Sequence, residues 1–261
     1  IPAQLKGAGI YNSFEIPAGG GSSFSSTNSF SFDGTDDYIE TSTSPFSLLD
    51  GQTKATFSLW VKPQLNQYGI LFHIPRNTSF AQGQVLCFLD NNYRVRWSMD
   101  TTSYYGNSLI NVITLNTWNH ILICIDLTQP LNQDKNRVFV NGVNKTAVSN
   151  LGTRTQFSTS TGNLLIGEET LGYLTPFLGN IDEVAIWSGT DLRSEISAVY
   201  NDGIPGDLNN SGLSRNPDLW YRMGENATWT GREFNITDAA STNNGITYNM
   251  AEDAKTTDVP T

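Results

Sequence analysis

The chain has 261 residues, with 15 Lys+Arg against 25 Asp+Glu, a formal net charge of −10 and a pI near 4.5. That balance excludes a nucleic-acid glove and an anionic-membrane binder, both of which need clustered cations. Hydrophobic residues make up 38% and aromatics 11%, against 15% charged, so the chain can bury a real core, and its size suits one large all-β domain or one domain plus an appendage, with one main domain expected. The longest wholly apolar run, ILICI at 121–125 closed by Asp126, falls far short of the roughly 20 residues a membrane-spanning helix requires.

In chain order, AGGGSSFSSTNS (18–29) is too rich in Gly and Ser to hold regular structure and reads as a linker or arm. Phe30 and Phe32 then alternate with Ser29 and Ser31, and Phe57, Leu59 and Val61 share a face opposite Ser58, Trp60 and Lys62. Val95, Trp97 and Met99 likewise oppose Arg94, Arg96 and Ser98. Such period-two runs predict antiparallel strands with one buried face. LDNNYRV (89–95) and VFVNGVNK (138–145) place Asn-Asn and Asn-Gly between alternating runs, which predicts two-residue hairpin turns with positive φ. Cys87 and Cys124 sit in VLCFL and ILICI, where reduced thiols acting as small hydrophobes are expected; a bridge would need close Cα atoms. One helix is predicted: Leu192, Ile196, Val199 and Tyr200 fall at i, i+4, i+7 and i+8, with Thr190 or Asp191 as N-cap and Gly203 just past the end.

The order of motifs carries a resemblance. SFDGTDDYIE (31–40), FSLWVKP (57–63), NTWNHILICID (116–126), RVFVNGV (137–143), LLIGE (164–168) and GNIDEVAIW (179–187), followed by the helix and YNDGIPGDL (200–208), together resemble the laminin-G-like group of the concanavalin A-like lectin/glucanase superfamily. The resemblance implies an antiparallel jelly-roll sandwich with one short edge helix over residues 29–208, preceded by an arm at 1–28. PDLWYRMGENATW…TDAAS (217–241) resembles segments of marine bacteriophage structural proteins that carry such domains. In that group a comparable segment precedes the FDG strand. Here LWYRMGE (219–225) and ITDAASTNNG (236–245) follow the domain, so the C-terminal segment 209–261 is expected to pack back on the jelly roll, with 217–248 near residues 29–40, either on its own chain or donated to a neighbouring copy.

Function does not follow from such a fold, and the residues must decide. A retaining glucanase of this type carries E-x-D-x-x-E on one strand, so that two carboxylates flank the scissile bond. The sequence has no such pattern, and Asp182 and Glu183, being adjacent, are expected to point to opposite faces. It also lacks G-x-S-x-G and H-E-x-x-H. His120 shares a face with Trp118, Leu122 and Cys124 and reads as a hydrogen-bonded core residue.

Hard oxygen ligands are plentiful, and the superfamily resemblance raises a structural or ligand-bridging Ca²⁺ as the candidate cofactor. Asp33, Asp36 and Asp182 could supply its carboxylates, or could instead make turn hydrogen bonds and cap buried backbone groups. DLNNSGLSRNPD (207–218) mimics an EF-hand loop at Asp207, Asn209, Ser211, Gly212 and Asp218. It has Ser214 at position 8 and Asp at position 12, and is expected to be a chance match.

Tyr104, Tyr105 and Tyr173 are the expected sugar-stacking aromatics, while Trp60, Trp97, Trp118 and Trp187 are assigned to packing. Arg94 and Arg96 could pair an acidic glycan or form a solvated face. The expectation is a non-enzymatic, lectin-like virion surface protein: a capsid decoration, knob or fibre component, placed on a virion or otherwise outside the cell. Its expected partners are other virion proteins, copies of itself and host-surface glycans. A secreted carbohydrate-binding or adhesion module is the alternative, and a glucanase the third choice.

Overall fold

A computed structural model describes residues 24–43, 46–75, 85–99, 101–160, 162–169, 172 and 174–261, and of residues 101–104 it gives the backbone alone. The first strands are β1 (Ser29–Asp33), β2 (Tyr38–Thr41), β3 (Lys54–Pro63), β4 (Gly69–Ile74), β5 (Val85–Asp90), β6 (Arg94–Met99), β7 (Thr101–Ser108) and β8 (Asn119–Asp126). Then come β9 (Asn136–Val140), β10 (Val143–Asn144), β11 (Thr146–Asn150), β12 (Leu165–Ile166) and β13 (Leu178–Ser188). Helix α1 (Ile196–Tyr200) is followed by β14 (Leu219–Tyr221), β15 (Ala227–Trp229), β16 (Phe234–Ile236), β17 (Gly245–Tyr248) and β18 (Lys255–Thr256).

These strands form two antiparallel sheets. One, of eight strands, runs β10-β9-β8-β3-β13-β1-β18 with β14 also on β13; the other, of ten, runs β11-β7-β6-β5-β4-β12-β2-β17-β16-β15. The jelly-roll sandwich implied by the motif order is therefore the fold. Its core lies between the sheets, where the alternating residues meet: Phe57 of one sheet stacks on Phe72 of the other at 5.0 Å, and Phe30 meets Phe234 edge-on at 4.9 Å. Gly106 lets β7 close over the core residue Trp97, since a Cβ there would lie 2.3 Å from Trp97 Nε1.

A second apolar layer covers the outer face of the eight-stranded sheet. Leu122, Cys124, Phe139, Ala185 and Trp187 are sealed there by Leu192, Val199, Leu208 and Trp220. Cys87 belongs to the inter-sheet core and Cys124 to this outer layer, so the two free thiols lie on different sides of a sheet and do not meet. Burial pushes both thiols up in pKa.

The C-terminal stretch belongs to both sheets. Leu219–Tyr221 pair with Val184–Ile186, Gly245–Tyr248 with Tyr38–Thr41, and Lys255–Thr256 with Ser29 and Phe30. Residues 1–23 of the expected arm lie outside the described residues. Its end, 24–28, is anchored: Phe24 stacks on Trp220 at 5.8 Å beneath the Arg222 guanidinium at 4.1 Å, and Arg222 Nη2 donates to the Ser25 carbonyl at 2.7 Å. A Gly/Ser-rich composition missed this because Phe24 supplies the apolar anchor that its neighbours lack.

Two local expectations need correction. The 89–95 hairpin has a three-residue loop, Asn91–Tyr93, between the paired Asp90 and Arg94, and Tyr93 takes the positive φ of 54°. The helix begins at Ile196, with Glu195 in the N-cap position. Asp191 instead accepts from the Arg193 N–H at 3.0 Å and pairs with the Arg193 guanidinium at 2.5 Å, which holds 191–193 in a turn. The Asn141-Gly142 turn has φ of 49° and 74°, both positive as the two-residue hairpin requires.

Candidate functional site

Among the described residues a cleft lies over the outer face of the eight-stranded sheet, beside the apolar layer, and five segments distant in sequence build it. Trp60 and Lys62 point outward from alternate positions of β3, and Asn116, Thr117 and Trp118 come from the turn before β8. Asn141 comes from the hairpin turn, Tyr200, Asp202 and Gly203 from the end of α1, and Asp258 from the segment after β18. The cleft encloses about 530 Å³, within the range of small-molecule sites.

Aromatic rings form its floor. Tyr200 stacks on Trp60 at 5.9 Å and 21°, and its close fit over the hairpin depends on Gly142, where a Cβ would lie 2.6 Å from the Tyr200 ring. Trp118 and Tyr200 both line the cleft and are half-buried, so neither is sealed in the core. One wall is pinned electrostatically: Asp258 accepts from Trp118 Nε1 at 3.0 Å and from Lys62 Nζ at 2.6 Å, and its carbonyl accepts from Ser29 Oγ. Asn141 Oδ1 accepts from the His120 N–H at 2.8 Å, which turns its amide nitrogen outward. A ring floor with amide and hydroxyl groups on its rim can hold a hydroxyl-rich ligand that has one apolar face.

The aromatics expected to stack on sugars are elsewhere. Tyr105 is half-buried on the outer face of the ten-stranded sheet, opposite Ser98 and Asn150, while the Tyr104 side chain and Tyr173 lie outside the described residues. On the same face Arg94 pairs with Asp90 at 2.6 Å, and Arg96 sits 5.3 Å over the Phe88 ring, so both guanidinium groups already have partners. Trp118, assigned to packing by its pattern, instead lines the cleft. The signal that could have found it is its place directly after the Asn116 turn, ahead of the strand proper.

The expected trio Asp33, Asp36 and Asp182 is not brought together. Asp33 pairs with Leu178, so Asp182 lies four residues further along β13, about 13 Å at strand rise. Asp33 and Asp36 cluster instead with Asp37, their carboxylate oxygens within 4.8 Å of one another. Asp33 Oδ1 accepts from the Thr35 N–H at 2.7 Å, and Asp37 Oδ2 from the Asp33 N–H at 3.0 Å. Burial, with Asp33 and Asp36 close by, pushes Asp37 up to about 6. No Lys or Arg pairs with these three among the described residues, and as hard oxygen donors they could supply part of the six to eight oxygens Ca²⁺ takes. In the 207–218 loop, Asp218 is already bonded by Arg215 at 2.6 Å and by the Ser188 N–H at 2.7 Å, leaving little for a metal.

Asp182 has a different setting, and the expectation that Glu183 faces away from it is wrong. A β-bulge places Glu183 and Val184 opposite the single residue Leu59, with Glu183 at φ 49°, so both acids reach the outer face and meet Glu225 within 4.8 Å. Asp182 accepts from Ser26 Oγ at 2.7 Å, Glu183 from Trp220 Nε1 at 2.6 Å, and Glu225 from the Thr27 and Asn28 N–H groups. Arg222 Nε adds a contact to Glu183 at 3.4 Å. Burial raises both acids, Asp182 well above the usual range with Glu183 and Glu225 adding repulsion, and Glu183 to about 8. Asp182 and Glu183 are 0% and 2% exposed; this is a sealed joint holding residues 24–28 to the sheet. His120 is also fully buried, 2.8 Å from Ser58 Oγ through Nε2, and burial pushes it down to about 3.

A two-sheet jelly roll with an aromatic-floored surface cleft is a lectin-like architecture. The Laminin_G_3 family model, described as the concanavalin A-like lectin/glucanases superfamily, matches residues 33–197, more than half of the sequence, and the chain belongs to that superfamily. No curated protein matches it. Among solved structures, a candidate carbohydrate-binding protein from Bacteroides ovatus ATCC 8483 is similar with a TM-score of 0.64 and 16% identity, over 91% of this chain and 62% of that one. The chain thus spans under two thirds of that protein's length. A heptameric SAP-like pentraxin from Limulus polyphemus is similar with a TM-score of 0.52 and 19% identity, over 67% of this chain and 82% of that one. At these identities the likeness is one of fold.

Proposed function

We propose that the protein is a non-enzymatic glycan-binding module whose site is the cleft floored by Trp118 and Tyr200. The observation that carries this reading is the convergence of two half-buried aromatic residues with the Asn116 and Asn141 amides and the Tyr200 phenol in one cavity of about 530 Å³. The fold it shares with the Bacteroides ovatus protein, described as a candidate carbohydrate binder, agrees with it. Against catalysis stand the sealing of Asp182 and Glu183 and the burial of His120, which leave neither a solvent-accessible acid pair there nor an accessible imidazole base. Placement outside the cell suits such a module. The resemblance of 217–241 to marine phage structural proteins supports the finer reading of a virion surface component that contacts virion proteins, copies of itself and host glycans.

The test is a glycan-array screen followed by titration of the best ligand. Tyr200→Ala, checked for an intact melting transition, should weaken binding by about tenfold or more, the scale of losing one stacked ring. Release of reducing sugar from β-glucans, abolished by changing a carboxylate, would overturn the non-enzymatic reading.

We also propose a structural Ca²⁺ on Asp33 and Asp36 with Asp37 in place of the expected Asp182. At a hundredfold excess over Kd an ion stabilises the fold by about 2.7 kcal/mol, so a chelator should lower Tm by about 5 °C or more. Asp36→Asn should remove that response. A melting curve left unchanged when chelator strips calcium-loaded protein of all its metal would dispose of the site.

A further inference from the structure

We infer that the cleft selects uncharged pyranosides and rejects glycans carrying a carboxylate or sulfate, with Asp202 as the residue that sets this preference. The inference rests on the cleft being the glycan site and concerns which glycans it takes. Among the lining residues the charged ones are Lys62, Asp202 and Asp258. Lys62, the one cation, is paired with Asp258 at 2.6 Å, and Asp258 is held from its other oxygen by Trp118 Nε1. An anionic ligand would have to share Lys62 with Asp258, whose carboxylate already neutralises it and which, with Trp118 Nε1 and Ser29 Oγ, holds the 255–261 segment as a wall. Asp202, by contrast, is exposed and has neither an ion-pair nor a hydrogen-bond partner among the described residues. Its carboxylate stands at the mouth as uncompensated negative charge.

The remaining polar groups are neutral and suit hydroxyls or an acetamido group: the Asn116 amide, the Asn141 amide nitrogen, the Tyr200 phenol and the Thr117 hydroxyl. A pyranoside lying with its apolar face on Trp118 and Tyr200 can hydrogen-bond these groups without any countercharge. A sialic acid or uronate would bring a second negative charge beside Asp202, and like charges brought together in a half-closed site act as a rejecting element. The position is also well suited to a clean test. Asp202 adopts a left-handed conformation, φ 55° and ψ 26°, which Asn tolerates at least as well as Asp, so Asp202→Asn removes the charge with little cost to the backbone.

The experiment screens the full chain and its Asp202→Asn variant on an array that pairs each neutral glycan with its sialylated, uronate-bearing or sulfated derivative, with titration of the strongest pair. The wild type should bind the neutral member about tenfold or more tightly, and Asp202→Asn should narrow that gap by at least about fivefold by tightening binding of the acidic member. Acidic derivatives bound as tightly as their neutral parents would overturn the selectivity and leave the glycan site standing. A gap untouched by Asp202→Asn would overturn the assignment to that residue. Binding to nothing on the array, by a variant and a parent that both melt cooperatively, would remove the glycan reading and this inference with it.

Discussion

A chain ended at Asn216 should fail to fold as a soluble monomer, aggregating or losing its cooperative melting transition. The cut removes the pairing partners of β13, β2 and β1, and with them Leu219, Trp220, Tyr221, Met223, Phe234, Ile236 and Met250, all 3% exposed or less. At roughly 1.5–3 kcal/mol for each buried side chain, the loss is about 10–20 kcal/mol. That equals or exceeds the whole stability of an ordinary domain, about 5–15 kcal/mol. The exposed edges of β2 and β1 would then offer unpaired backbone to neighbouring molecules. Size-exclusion chromatography and thermal melting decide it: a truncated monomer that melts like the parent would make 217–261 a separate appendage.

Lowering the pH from 8 to 6.5 should raise Tm. Asp182 and Glu183 have folded-state pKa values raised above their unfolded ones, Glu183 to about 8. Their stabilising contribution is therefore fully present below about pH 4 and is lost as pH rises through the folded values. A single proton held by the folded state and not by the unfolded one is worth about 1.4 kcal/mol per pH unit. Over 1.5 units that is roughly 2 kcal/mol, or about 4–8 °C in Tm. Below pH 6.5 the trend should flatten or reverse, because His120, held near 3 when folded, gains a proton only on unfolding. Glu183→Gln should reduce the slope between pH 6.5 and 8. A Tm that instead rises from pH 6.5 to 8 would mean that the buried acids are ionised and paired, with Arg222 holding the charge.

Much of the sandwich was legible because each strand carries its own signal. The alternation of Phe57, Leu59 and Val61 fixes which face of β3 meets the other sheet, and Asn141-Gly142 names its own turn. Neither depends on distant residues. The bulge at Glu183 was not legible, since it exists only relative to β3: the shift from Asp182 opposite Trp60 to Ala185 opposite Ser58 appears once both strands are placed. A strict period of two therefore sent Glu183 to the wrong face. The acidic turn was half legible, because Asp33 and Asp36 are neighbours in sequence whereas Asp182 was joined to them by assumption.

The cleft was the least legible part. Trp118, Asn141, Tyr200 and Asp258 span 140 residues, and each has an ordinary local reading as a strand-end, turn, helix or tail residue. What unites them is the return of the C-terminal segment onto β1, which carries Asp258 to Lys62 and Trp118. The Asn-Asn turn failed for a smaller reason: Tyr93 takes the left-handed position that composition would assign to Asn.

The most direct test of the glycan-binding reading is a crystal structure of the protein with a neutral oligosaccharide chosen from the array. A sugar ring is expected over Trp118 and Tyr200, within hydrogen-bonding reach of Asn116 and Asn141. A sugar bound instead on the outer face of the ten-stranded sheet beside Tyr105, with the cleft empty, would contradict it.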